Sequence, residues 1–118
     1  TQIPRFRLPE SVIDEEVGYI LRYEPVTHFG TRIDSLKKFL AEGWDAVFIG
    51  TGAPRGRDLG LPGQKEAGKN VHIGIDWLSN VSFGHIDKIG KRVIVLGGGN
   101  TAMDCCRTSR RLGGEDVK

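Results

Sequence analysis

Residues 93–104 read Val-Ile-Val-Leu-Gly-Gly-Gly-Asn-Thr-Ala-Met-Asp, and no other stretch narrows the fold as far. Four apolar residues, Val93 to Leu96, have the length and composition of a buried parallel strand. A glycine turn follows, and then a helix start, with Ala102, Cys105, Cys106, Ser109 and Leu112 at helical spacing. Gly97, Gly99 and Ala102 fit the form G-x-G-x-x-A. In that form the first glycine makes the tight turn out of the strand. The second lets the backbone approach a phosphate, and the third small residue keeps the helix close to the strand. Unpaired N–H groups and the helix dipole favour an anion at such a helix start, and Asn100 and Thr101 add side-chain donors. The expectation is an α/β, Rossmann-like unit holding a dinucleotide pyrophosphate at Gly97, Gly98, Gly99, Asn100, Thr101 and Ala102. The same glycines also suit a plain strand-turn-helix; the apolar run before them and the helical pattern after them favour the nucleotide.

With 118 residues the chain has room for one modest core. Its 38% apolar and 27% charged residues suit a water-soluble protein, and a net charge of +2 is too small to argue for nucleic acid. Arg107, Arg110 and Arg111, the densest cationic group, fall late in a predicted helix and read as a solvated helix end. No run of about 20 apolar residues exists, so no membrane span is expected. The start, Thr-Gln-Ile-Pro-Arg, lacks Met and any leader pattern, so the chain reads as an excerpt of a longer protein. Cys105 and Cys106 are adjacent on the predicted helix and point apart, which reads as reduced packing residues in a cytoplasmic protein. His28, His72 and His85 fit no metal spacing, and no nucleophile–base arrangement is visible, so neither metal ligands nor catalytic side chains are assigned.

Pro4 to Pro9 reads as extended. Pro9 opens a helix with an apolar face of Val12, Ile13, Val17, Ile20 and Leu21, ended by Pro25. Val26 to Phe29 is a candidate strand. Asp34 is expected to cap a helix over 35–42 that Gly43 stops. Ala46 to Ile49 is a second buried-strand pattern ending in Gly50-Thr51-Gly52-Ala53. An irregular stretch, 54–70, precedes a candidate strand at 71–75 and a short helix over 77–81 capped by Asp76. Trp77 is expected in the core or at a domain interface. Asp104 reads as a first-turn acid that favours the dipole. A boundary between Gly84 and Lys91 divides the chain into residues 1–84 and 85–118.

Taken together, Ile3-Pro4-Arg5-Phe6-Arg7-Leu8-Pro9, Trp44 to Ala53 with Pro54, Arg55, Leu59 and Leu61-Pro62-Gly63, and Val93 to Cys105 resemble the small-subunit family of NADPH-dependent glutamate synthase and its flavin-containing relatives. The likeness spans essentially the whole chain, and the Ile-Pro-x-Phe-Arg-Leu-Pro piece is its most specific part. It implies a partial two-dinucleotide-binding-domain flavoprotein. Residues 1–84 would be part of an FAD-binding domain, and residues 85–118 the first βα unit of an NAD(P)H-binding domain. It implies FAD contacts at Arg7, Thr51, Gly52 and Ala53, and NADP or NAD at the glycine turn. Electrons would pass to an acceptor on a partner subunit or domain, with iron–sulfur clusters elsewhere in the parent or partner. The second strand of the nucleotide domain, where the ribose is read, should begin near Val117. The alternative reading is a non-catalytic nucleotide-binding module or an inert domain excerpt, and the piece is also expected to self-associate through open sheet edges.

Overall fold

Pro9 and Ser35 set the starts of the first two helices. In the computed structural model, which describes residues 2–118, Pro9 adopts φ −58° and ψ 147° and is the N-cap of helix α1, Glu10–Leu21. The preceding segment is not extended as expected. The N–H groups of Arg7 and Leu8 both donate to Pro4 O, at 2.8 and 3.1 Å, and close a turn. Helix α2 is Leu36–Leu40, and its cap is Ser35 rather than Asp34: Ser35 Oγ accepts from Lys38 N at 3.3 Å. The Asp34 carboxylate instead accepts from Arg32 Nε at 2.7 Å. Helix α3, Gln64–Ala67, runs into a single 3-10 turn, Gly68–Asn70. Asp58 organises the loop before it. Its carboxylate accepts from Gly60 N–H at 3.0 Å and Gln64 Nε2 at 2.7 Å, and these bonds hold it below the usual carboxylate range.

Three expected strands do not form. Residues 26–29 and 46–49 form no strand and are exposed apart from the half-buried Val47, with Phe48 95% accessible. An apolar run becomes a strand only when another strand supplies its hydrogen bonds, and none among the described residues lies beside these two. The third, 71–75, is cut short by helix α4, Gly74–Ser82. Asp76 therefore sits inside the first turn of α4, and Ile73 holds the cap position.

Strand β1, Arg92–Val93, and strand β2, Asp116–Val117, pair in parallel, with Arg92 opposite Asp116 and Val93 opposite Val117. The hydrogen bonds run beyond both strands: Lys91 O accepts from Glu115 N and Asp116 N, and Val95 N donates to Lys118 O at 2.7 Å. Helix α5, Asn100–Arg111, makes the crossover. This is a minimal βαβ unit, and its second strand begins at Asp116, close to the expected position. The apolar run of β1 is covered on one side only. Val93 and Val95 are partly buried, whereas Ile94 and Leu96 face outward. The expectation of burial on both faces is corrected because no layer among the described residues covers the second face.

The core is small. Trp77 and Leu78 of α4 and Cys105 of α5 are each at most 5% exposed, with Val81, Ile86, Ile89, Val95 and Leu112 around them. Gly74 permits the close approach of the two helices. A Cβ there would lie 3.1 Å from Cys105 Sγ and 3.5 Å from Thr101 Cγ2. Trp77 is thus in the core, as its sequence context indicated. The apolar face expected to bury α1 has no such partner among the described residues: Val12, Val17, Ile20 and Leu21 are exposed. The radius of gyration is 18.5 Å, against roughly 13.5 Å for a compact domain of this length. No helix among the described residues is long and apolar enough to cross a membrane.

Candidate functional site

Gly97 leaves β1 with φ +134°, a backbone conformation that residues bearing a Cβ rarely adopt. A Cβ at Gly97 would lie 3.5 Å from the Ala102 Cβ, so strand end and helix start are in van der Waals contact through the small residue at 102. Gly99, at φ −82° and ψ 179°, is the N-cap of α5 and has no side chain to cap it. Ideal Cβ positions on Gly98 and Gly99 meet open space. Gly99 O accepts from Met103 N at 3.1 Å, so the N–H groups of Asn100, Thr101 and Ala102 precede the first helical bond and find no protein partner among the described residues. No acid stands in the first turn. The result is an uncapped, open, electropositive helix end with a glycine wall, which fits a pyrophosphate.

Asp104 is not in the first turn, correcting that expectation. It lies one turn deeper, with its side chain 7% exposed, and Oδ2 accepts from Arg7 Nη1 at 2.7 Å across 97 residues of sequence. The N-terminal segment docks on the same helix face through Phe6, whose ring lies under the guanidinium groups of Arg111 at 3.8 Å and Arg107 at 4.7 Å. These two arginines are therefore not simply a solvated helix end. Arg110 Nη1 donates to Glu115 O at 3.0 Å, tying the end of α5 to the turn before β2. A cleft of about 520 Å³ between Phe6, Leu78, Val81 and Leu112 lies toward the far end of α5, away from the glycine turn.

The structure thus gathers Gly97 to Ala102 in one turn and brings Arg7 to the same helix. Thr51, Gly52 and Ala53 lie in exposed coil, Gly52 at φ +70°, and no hydrogen bond among the described residues ties them to α5. Sequence reasoning missed the partnership of Asp104. The available signal was an acid set between Met103 and Cys105 on a helix that is otherwise apolar at that level.

Cys105 is buried, and its thiol lies against Gly74 O at 3.7 Å. Burial, with smaller contributions from Cys106 and Asp104, raises its pKa from 9.0 to about 11. At neutral pH that is roughly a hundredfold less thiolate than a free thiol presents. Iodoacetamide at pH 8 is expected to label Cys106 well before Cys105, as peptide mass mapping against time will show. Equal labelling rates would contradict the packing described.

Similarity to known proteins agrees with this geometry. The NADPH-Fe(3+) oxidoreductase subunit beta of Geobacter sulfurreducens is 35% identical over 117 residues, covering 97% of this chain and 17% of that protein. The glutamate synthase [NADPH] small chain of Halomonas elongata is 35% identical over 127 residues, 98% of this chain and 26% of that protein. A putative glutamate synthase [NADPH] small chain of Cereibacter sphaeroides is 47% identical over 81 residues, 63% of this chain and 20% of that protein. The chain thus spans between 17% and 26% of the lengths of these relatives. No solved structure matches. The resemblance to the glutamate synthase small-subunit group is borne out. A family model described as pyridine nucleotide-disulphide oxidoreductase matches residues 14–118, and the chain belongs to that family.

Proposed function

We propose that the chain is part of an FAD- and NAD(P)H-dependent oxidoreductase similar to the glutamate synthase small subunit. In this reading residues 1–84 belong to an FAD-binding domain and residues 85–118 open the NAD(P)H-binding domain. The observation that carries it is the β1–Gly97 turn–α5–β2 unit with its uncapped helix start facing open space. Gly97 turns the chain, and Gly98 and Gly99 admit a pyrophosphate to backbone contact. Asn100 and Thr101 donate to it, and Ala102 holds the helix against the strand. Arg7, Thr51, Gly52 and Ala53 contact FAD. Arg7 fits this role, since its side chain is 36% exposed and only Nη1 of its guanidinium is engaged among the described residues. When bound, the nicotinamide supplies a hydride and the flavin accepts it; the protein orients the two rings and excludes water. The electron acceptor then lies on a partner subunit or domain, with iron–sulfur clusters elsewhere in the parent protein or its partner. Subunit names among the relatives support a partner, and their NADPH names support the phosphorylated nucleotide as donor.

The test uses the complete polypeptide that carries this chain, reconstituted with FAD under anaerobic conditions. NADPH is expected to bleach the flavin's visible absorbance. No bleaching by NADPH or NADH would defeat the reading. NADP+ binding without bleaching would favour a nucleotide-binding module that does not turn over.

A further inference from the structure

Asp104 sits where helix α5 meets the N-terminal turn, and its two carboxylate oxygens are used unequally. Oδ2 holds Arg7 Nη1 at 2.7 Å, while Oδ1 is buried with no partner among the described residues. A buried carboxylate is tolerated only when paired, so this contact binds Arg7 closely to α5. Arg7 is in the reverse position: one corner of its guanidinium is fixed, and Nε and Nη2 have no hydrogen-bond partner among the described residues. The same helix face carries Arg107 and Arg111 against Phe6, the residue before Arg7, so the turn is held to α5 at a second point beside the ion pair. The N-terminus of that helix is the proposed nucleotide site. One rigid element therefore presents the pyrophosphate donors at Gly99 to Ala102 and, one turn on, the acid that aims Arg7.

From this geometry we propose that Asp104 is a positioning residue for Arg7, fixing the guanidinium so that its free edge meets an oxygen or ring nitrogen of the bound flavin. The inference rests on the function proposed above. Asp104 itself touches neither cofactor and acts only through Arg7. Its effect therefore falls on flavin binding, although it stands on the nucleotide helix.

The experiment titrates FAD into the apo form of the complete polypeptide by fluorescence, comparing wild type with Asp104→Asn, Asp104→Glu, Arg7→Gln and the double variant R7Q/D104N. NADP+ binding and thermal midpoints are measured alongside. Asp104→Asn is expected to raise the FAD dissociation constant about tenfold, the scale of one charge-assisted hydrogen bond, to alter the bound flavin's visible spectrum, and to leave NADP+ affinity within about twofold. The conservative Asp104→Glu recovers part of the loss. The double variant is no worse than Arg7→Gln, because both act through one contact. Unchanged FAD affinity and spectrum in Asp104→Asn, even with a lowered melting midpoint, would overturn the proposal and leave a purely structural ion pair. Losses that multiply in the double variant would overturn it too. A wild-type apoprotein that takes up no FAD would show, before any variant is compared, that the functional reading itself has failed and the positioning role with it.

Discussion

Replacing Gly99 with Asp is expected to stabilise helix α5 and, in the same molecule, to abolish most dinucleotide binding. Gly99 occupies the N-cap with extended backbone angles, and a Cβ there meets nothing within 4 Å. Asp is among the best N-cap residues, because its carboxylate accepts from the free N–H groups of the first turn. Those are the N–H groups of Asn100, Thr101 and Ala102 that the proposed site offers to a pyrophosphate. The substitution therefore occupies the donors and adds negative charge where the phosphates would lie. Melting of the complete polypeptide should be unchanged or raised, by up to about 1 kcal/mol. Affinity for NADP+ should fall by at least about thirtyfold, since juxtaposed like charges cost several kcal/mol. Thermal denaturation and calorimetric titration of the same sample separate the two effects. A variant that melts as expected and binds NADP+ as wild type does would place the nucleotide elsewhere.

The largest loss of stability is expected at Trp77. It is 4% exposed and is the bulkiest of the three buried apolar side chains that join α4 to α5. Trp77→Ala should cost about 3–5 kcal/mol, the sum of lost transfer energy and an unfilled cavity. Against a typical domain stability of about 5–15 kcal/mol, that is enough to loosen α4 from α5. Trp44 is the control. It is 53% exposed and, among the described residues, its one ring contact is Phe39, at 5.3 Å between centroids. Trp44→Ala should cost under about 1.5 kcal/mol, within the range of an aromatic pair. Denaturant unfolding of the 118-residue chain followed by far-ultraviolet circular dichroism gives both values. Equal midpoints for the two variants would show that the α4–α5 contact is not the principal core.

The helices were the most legible elements of the sequence, and the isolated apolar runs the least. Helix α5 follows from the glycine turn and the spacing of Ala102, Cys105, Ser109 and Leu112, because its hydrogen bonds close within the segment. Helix α1 was equally clear in its periodicity, yet its apolar face is uncovered, because burial depends on a neighbour that the periodicity does not specify. Val26 to Phe29 and Ala46 to Ile49 have strand-like composition and remain coil. Val93 pairs because α5 returns the chain to place Val117 beside it. For the candidate site, the glycine turn could be read locally, since Gly97 answers a steric demand with φ +134° while Gly98 and Gly99 leave the helix start open. The Arg7–Asp104 pair could not.

By itself, then, the sequence determined the local chemistry of this protein: where the chain turns at Gly97 and where α5 starts without a cap. Each of these is set by sterics or polarity within a few residues. Only the tertiary structure decided which strands exist, and that Arg7 comes to Asp104 across 97 residues. Strand pairing and ion pairing join groups distant in sequence, and their energy appears only once the rest of the chain has brought them within reach of each other.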